Sequence, residues 1–192
     1  MPRSSRADTA RRHEEIIDAA ARLIRERGVE SVTLPEIMGQ VGLTKGGFYK
    51  HFESKEALVA AATEACWSEE LGRVTQIAAE HADDPAAGRS AFLDWYLSPG
   101  HRDDPGSGCP SVLAGAVARS EPDSPLRKAY IAGIYKLLAL NGVDDLGDGL
   151  EDPHIGLLSE IATMGGALMM ARATAGDPLS DIILTAVRRH LG

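Results

Sequence analysis

Cysteine is nearly absent. The 192 residues hold two, Cys66 and Cys109, far apart in the chain. That excludes a disulfide framework and any zinc site of the CxxC type, and it suits a reducing compartment with both thiols free. Aromatic residues make up only 5%. No segment alternates apolar and polar residues convincingly over the length of a strand, which argues against a sandwich or barrel. HExxH, GxSxG, the phosphate-binding P-loop and GxGxxG are all missing. The run DDLGDG from Asp144 resembles a calcium loop. It places Leu146 and Ile155 where the third and twelfth positions need oxygen ligands, so it is rejected. No apolar segment follows the charged start MPRSSRADTARRHEE, and the longest apolar run, 161–171, is short for a bilayer span. The expectation is a cytoplasmic chain with no membrane span, metal, cofactor or enzyme activity.

What is there is helix. The chain is 44% hydrophobic and 25% charged, ordinary for a globular protein. Its formal charge of −8 appears at first to disfavour nucleic acid, but the charge is unevenly spread. Residues 1–55 carry 10 Lys+Arg and 8 Asp+Glu, a balance of +2, whereas 56–192 carry 10 and 20, a balance of −10. Duplex DNA feels the local field, because screening cuts interactions beyond about 8–10 Å. A mildly basic head on an acidic body fits DNA binding through the head alone.

The head reads as short helices. An amphipathic helix over 9–27 carries the stripe Ile16, Ala20, Leu23, Ile24 and ends at Gly28. Thr33 and Glu36 have capping-box spacing, and Pro35 sits in the first turn, where its missing donor costs little. This helix, over 34–40, stops near Gly42. Thr44 caps a further helix over 45–51, and Ser54 caps a long one running to about residue 81. Two short helices joined by a glycine turn make a helix-turn-helix, whose second helix enters the DNA major groove. Phe48 and Phe52, four apart, should pack with Ile37, Val41, Leu43 and the first helix.

The run TLPEIMGQVGLTKGGFYKHFESKEAL, with Gly28 and Val29 before it, resembles the DNA-binding signature of the TetR/AcrR family of one-component transcriptional regulators. The resemblance covers about a quarter of the chain. It implies an all-α fold: a DNA-binding head over 1–55 and a ligand-binding, dimerising body over 56–192. It further implies a homodimer on an operator duplex, most often a repressor, released by a small-molecule effector. Carried over by position, Thr44, Tyr49, His51 and Lys55 resemble the family's phosphate binders, and Thr33 counts among the DNA-binding residues. Lys45, Gly46, Gly47 and Lys50 stand where base edges or flanking phosphates are met. Gly46 and Gly47 read no base themselves, which leaves Lys45 as the best candidate for direct readout.

The body continues as helices over about 85–97, 111–119, 124–140, 154–175 and 178–191. A turn-rich loop covers 98–110 and a Gly/Asp-rich loop 141–153. The resemblance implies a cavity between these helices; candidates for its lining are Cys66, Trp67, Phe92, Trp95, Tyr96, Cys109, Tyr130 and Met169. Helix 154–175 is apolar on more than one face. One face, with the last helix, offers a two-fold interface through Leu158, Gly165, Gly166, Met169, Ile183, Ala186 and Val187. Cys109 falls between a glycine-rich turn and an expected helix start, near His101 and Arg102, a setting that can lower a thiol pKa. Two alternatives therefore stand beside the ligand-released repressor. One is a thiol-sensing regulator acting through Cys109. The other is an all-helical small-molecule binder or enzyme whose helix-turn-helix is structural.

Overall fold

The computed structural model describes residues 6–143 and 152–192; the rejected calcium run and most of the Gly/Asp-rich loop lie outside them. The described residues form α1 (Arg6–Arg27), α2 (Leu34–Gln40), α3 (Lys45–Phe48), α4 (Lys55–Glu80), α5 (Pro85–Tyr96), α6 (Pro99–Asp103), α7 (Ala114–Arg119), α8 (Pro125–Leu140), α9 (Asp152–Ala173) and α10 (Pro178–Leu191). No strand occurs among them, so the fold is all-α.

The first three helices and the start of α4 share one core. Ile16, Ala20, Leu23 and Ile24 of α1 meet Ile37 and Met38 of α2, Phe48 and Phe52, and Leu58, Ala62 and Cys66 of α4. The expected boundary after Lys55 thus falls in the first turn of α4, whose N-terminal half packs with the head. Two glycines at positive φ set the chain's path: Gly28 (82°) ends α1 and Gly42 (67°) makes the turn before α3. Thr33 and Glu36 form the capping box. The Glu36 carboxylate accepts from the Thr33 N–H at 2.8 Å and from its hydroxyl at 2.7 Å.

Three segments differ from the sequence expectation. The third helix ends at Phe48 rather than at residue 51. The next turn tightens to three-residue hydrogen bonds, Lys50 N–H to Gly47 O at 3.3 Å and His51 N–H to Phe48 O at 2.8 Å. Two consecutive glycines, each costing about 1 kcal/mol of helix propensity, make so short a helix cheap to end. The loop over 98–110 contains α6 and a 3₁₀ turn, Pro105–Ser107. The Ser98 hydroxyl caps α6 by accepting from the His101 N–H at 3.1 Å, with Pro99 in the first turn; the turn-forming residues are helix starters here. The helix expected over 111–119 begins as a 3₁₀ turn, Pro110–Leu113, before α7.

In the body, α4 lies along α8. Gly133 of α8 permits this approach, because a Cβ there would run into the Trp67 ring. A second core joins α5, α9 and α10 through Leu93, Tyr96, Leu97, Met164, Leu168 and Leu184. Within α9, His154–Ala173 is long and apolar enough to cross a membrane by length and composition, with mean hydropathy 1.2, although the contiguous apolar run looked too short. Met164, Ala167, Leu168 and Ala171 of this helix are buried within the protein.

Candidate nucleic-acid interface and body cavity

The head presents one polar face. Phe48 is fully buried and anchors α3. Thr44, Lys45, Gly46, Tyr49 and Lys50 lie exposed on the other side, Tyr49 at 65%. Gly47 is half-buried against Met38. Tyr49 stands edge-on to Phe48, with ring centroids 5.2 Å apart. His51 is half-buried beside His13, which stacks on Phe52 at 4.4 Å. Burial first, and then the neighbouring His13 and Lys50, lower the His51 pKa.

Two expected DNA contacts are already engaged within the protein. Thr33 spends its hydroxyl and its N–H on Glu36. Lys55 is half-buried; its ammonium donates to the carbonyls of Val29 (3.4 Å) and Val32. These two carbonyls lie between α1 and α2, out of helical register, and a nearby cation satisfies them. Lys55 here fastens that loop and does not extend toward solvent.

The body encloses a cavity of about 470 Å³ between α4, α5, α8 and α9. Trp67, Phe92, Tyr96, Cys109 and Tyr130, all expected there, line it. Three further expected residues lie elsewhere. Cys66 points into the head core, its thiol 3.7 Å from the Ala21 carbonyl. Trp95 packs against His101 at 4.6 Å and under the Arg73 guanidinium at 4.7 Å. Met169 lies on the outer side of α9, beside a shallow cleft with Arg25 and Arg172.

Sequence reasoning missed Glu70, which also lines the cavity and is 5% exposed. Burial pushes its carboxyl up to about 7, against the pull of Arg73 and Arg25. A signal was present. Trp67, Glu70, Val74, Ile77, Ala78 and His81 form one stripe at helical spacing along α4, with an acid set among apolar side chains, and all six line the cavity. Ser111 was missed as well; it reaches the cavity only because the 3₁₀ turn carries it there.

The setting expected for a reactive Cys109 is overturned. The thiol is buried, and burial followed by the nearby Glu70 pushes it up to about 11. The helix it precedes is a single 3₁₀ turn. His101 does not touch the sulfur: its Nε2 accepts from the Cys109 backbone N–H at 3.1 Å, so Nδ1 donates to the Tyr96 carbonyl at 2.8 Å. Burial lowers the His101 pKa to about 4, which keeps this neutral arrangement. Arg102 turns away to Asp181 at 2.6 Å and Ser180 at 2.9 Å.

The expected interface residues divide between two sides. Gly165 faces inward, where a Cβ would meet that of Ser111 at 3.4 Å. Ile183 and Val187 pack into the body core, and Leu158 is half-buried. Gly166, Met169 and Ala186 are exposed, in company with Met170, Leu179 and Ile182.

A helix-turn-helix head with a buried aromatic anchor, joined through α4 to a hollow helical body, defines a class of DNA-binding protein. Comparison with known proteins shows what the head and the fold resemble. Residues 16–62 match the family model of bacterial regulatory proteins, tetR family. Similar proteins include the uncharacterized HTH-type transcriptional regulator YerO of Bacillus subtilis, 36% identical over 38% of this chain and 25% of that protein. The HTH-type transcriptional repressor KstR2 of Rhodococcus jostii is 33% identical over 39% of this chain and 37% of its own. The chain thus spans roughly a quarter to two-fifths of the length of the curated relatives it matches. Solved structures align along nearly its whole length. The reduced form of NemR from E. coli gives a TM-score of 0.73 at 21% identity over 93% of this chain and 94% of that one. A TetR transcriptional regulator from Chloroflexus aurantiacus gives 0.68 at 28% over 96% and 94%. The head, residues 16–62, thus matches the tetR family, and the whole chain shares the fold of the solved TetR transcriptional regulator from Chloroflexus aurantiacus.

Proposed function

We propose that this chain is a cytoplasmic transcriptional repressor and not an enzyme. It binds an operator duplex as a homodimer and leaves it when a small, largely apolar molecule enters the body cavity. The observation that carries this reading is the pairing of an exposed polar face at α3 with an apolar cavity on the helix that leaves the head. Thr44, Lys45, Tyr49, Lys50 and the half-buried His51 face the DNA, and the backbone at Gly46 and Gly47 lets α3 come close to it. The units are a head over 1–55 and a body over 56–192, with α4 shared between them. Dimerisation uses the exposed face of α9 and α10, where Gly166, Met169, Met170, Ile182 and Ala186 lie uncovered. Two heads are needed because one short reading helix gives too little affinity and specificity. An effector acts only through a difference in affinity between the DNA-competent state and the other state. Its binding therefore opposes DNA binding by the same factor in both directions.

The test is fluorescence anisotropy with duplex from upstream of the chain's own gene. Lys45→Ala should weaken binding and reduce the slope of log affinity against log salt by about one unit. Unchanged affinity and slope would remove Lys45 from the interface. A sedimentation profile showing only monomer at micromolar concentration would remove the dimer.

A further inference from the structure

The cavity wall is mostly apolar, and some of its polar groups are idle. Glu70 makes no hydrogen bond or ion pair among the described residues, although it is 5% exposed. The Trp67 indole N–H and the Ser111 hydroxyl are buried without partners. A buried carboxyl without a partner is costly, because desolvation is not repaid. The protein does contain cations near it, Arg73 and Arg25, which pull on its charge without pairing with it. Arg25 pairs with Glu69 at 2.7 Å, and Arg73 lies over the Trp95 ring. The other charged pair on the wall is closed on itself, Arg89 to Glu160 at 2.5 Å. His81 is engaged with the Ile77 carbonyl at 3.0 Å. The neutral groups facing Glu70 across the cavity are Tyr96, Cys109 and Tyr130, all held uncharged by burial. The lining therefore carries one unmatched acid among the aromatic rings of Trp67, Phe92, Tyr96 and Tyr130. Ring faces attract cations, most strongly where water is excluded.

We propose that the cavity takes an organic cation: an apolar body bearing a protonated amine or quaternary ammonium that rests against Glu70 and the aromatic rings, with any acceptor on it reaching the Trp67 N–H. This deepens the reading of the cavity as the effector site and rests on it. The volume of about 470 Å³ suits a drug-sized molecule. A cation beside the carboxyl restores the charge that burial disfavours, so ligand entry and Glu70 ionisation reinforce each other.

The experiment uses the full chain without DNA. Decyltrimethylammonium, decanol and decanoate share one tail and differ in head charge. Their binding is followed at pH 8 by calorimetry and tryptophan fluorescence. The cation should bind about tenfold or more tighter than either of the others. Glu70→Gln should erase that preference while leaving decanol unchanged, and Glu70→Asp should keep part of it. Equal or tighter binding of decanoate or decanol would overturn the proposal. So would a preference that survives in Glu70→Gln, or no binding of any probe below about 1 mM. If Glu70→Gln fails to fold by circular dichroism, the ranking of the three probes on wild type decides alone. Operator binding by the free protein is measured separately, so failure of the cation preference and failure of the regulator reading are distinguishable.

Discussion

Head and body are both built from helices, and they differ in how closely those helices pack. In the head, Phe48, Ile37, Met38, Ile16 and Ile24 interdigitate in one closed apolar core. Its loop carbonyls are fastened by Lys55, and the first turn of α2 is closed by Glu36. In the body, the helices stand apart around a cavity whose wall holds Glu70, Trp67 Nε1 and Ser111 Oγ without partners. The head spends its interactions on holding one shape, as a surface that must match a rigid duplex requires. The body leaves interactions unmade, as a receptor whose occupant can complete them requires.

The sharpest way to break this contrast is to empty the head core. Phe48→Ala should lower stability by about 3–5 kcal/mol in chemical denaturation, and abolish operator binding. A loss below about 1 kcal/mol would mean that the head is not a packed presenter. The body should show its character through pH. Glu70 has a raised carboxyl pKa in the folded state, about 7 against 4.5. The folded chain therefore holds a proton that the unfolded chain has lost between these values. Its stability contribution is full below about pH 4.5 and disappears as pH rises through 7. Against Glu70→Gln, wild type should lose on the order of 3 kcal/mol across that window. Parallel pH curves for the two proteins would show that the carboxyl is not strained. The smallest effect belongs to the close approach in the body. Gly133→Ala should cost about 1–3 kcal/mol through the clash with Trp67, with a shift in tryptophan fluorescence and little change at the head. An unchanged emission would mean that α4 and α8 separate freely.

The head was the more legible region because its signals are local. Capping at Thr33, Thr44 and Ser54, the turn at Gly42 and the spacing of Phe48 and Phe52 all act within a few residues. The sequence could not reveal that Lys55 bends back to Val29 and Val32, since that depends on where the loop before α2 passes. The cavity was half legible. Trp67, Phe92, Tyr96, Cys109 and Tyr130 stood out by type, and all five line it. Glu70 was hidden because an acid next to Glu69 on a long helix reads as a solvated residue until the opposite wall is known. Met169 misled because α9 is apolar on several faces, and periodicity cannot say which face turns inward. Trp95 and Cys66 are equally apolar in type but lie on neighbouring faces of α5 and α4, one helical step from the cavity. Proline and serine near residue 98 spelled a loop by composition and a capped helix by position.

Arg25 has a consequence for how the two regions can move. It belongs to α1, yet it is 4% exposed, and its partners sit on the body: Glu69, next in sequence to Glu70, and the carbonyl of Gly108, next to Cys109, at 3.3 Å. A buried guanidinium cannot lose its partners gradually, because an intermediate position leaves a desolvated charge uncompensated. The joint between α1 and the cavity wall is therefore latched by Arg25, and loosening it costs a buried charge its partners. Any displacement of the wall relative to α1 has to break or carry along the Arg25–Glu69 pair.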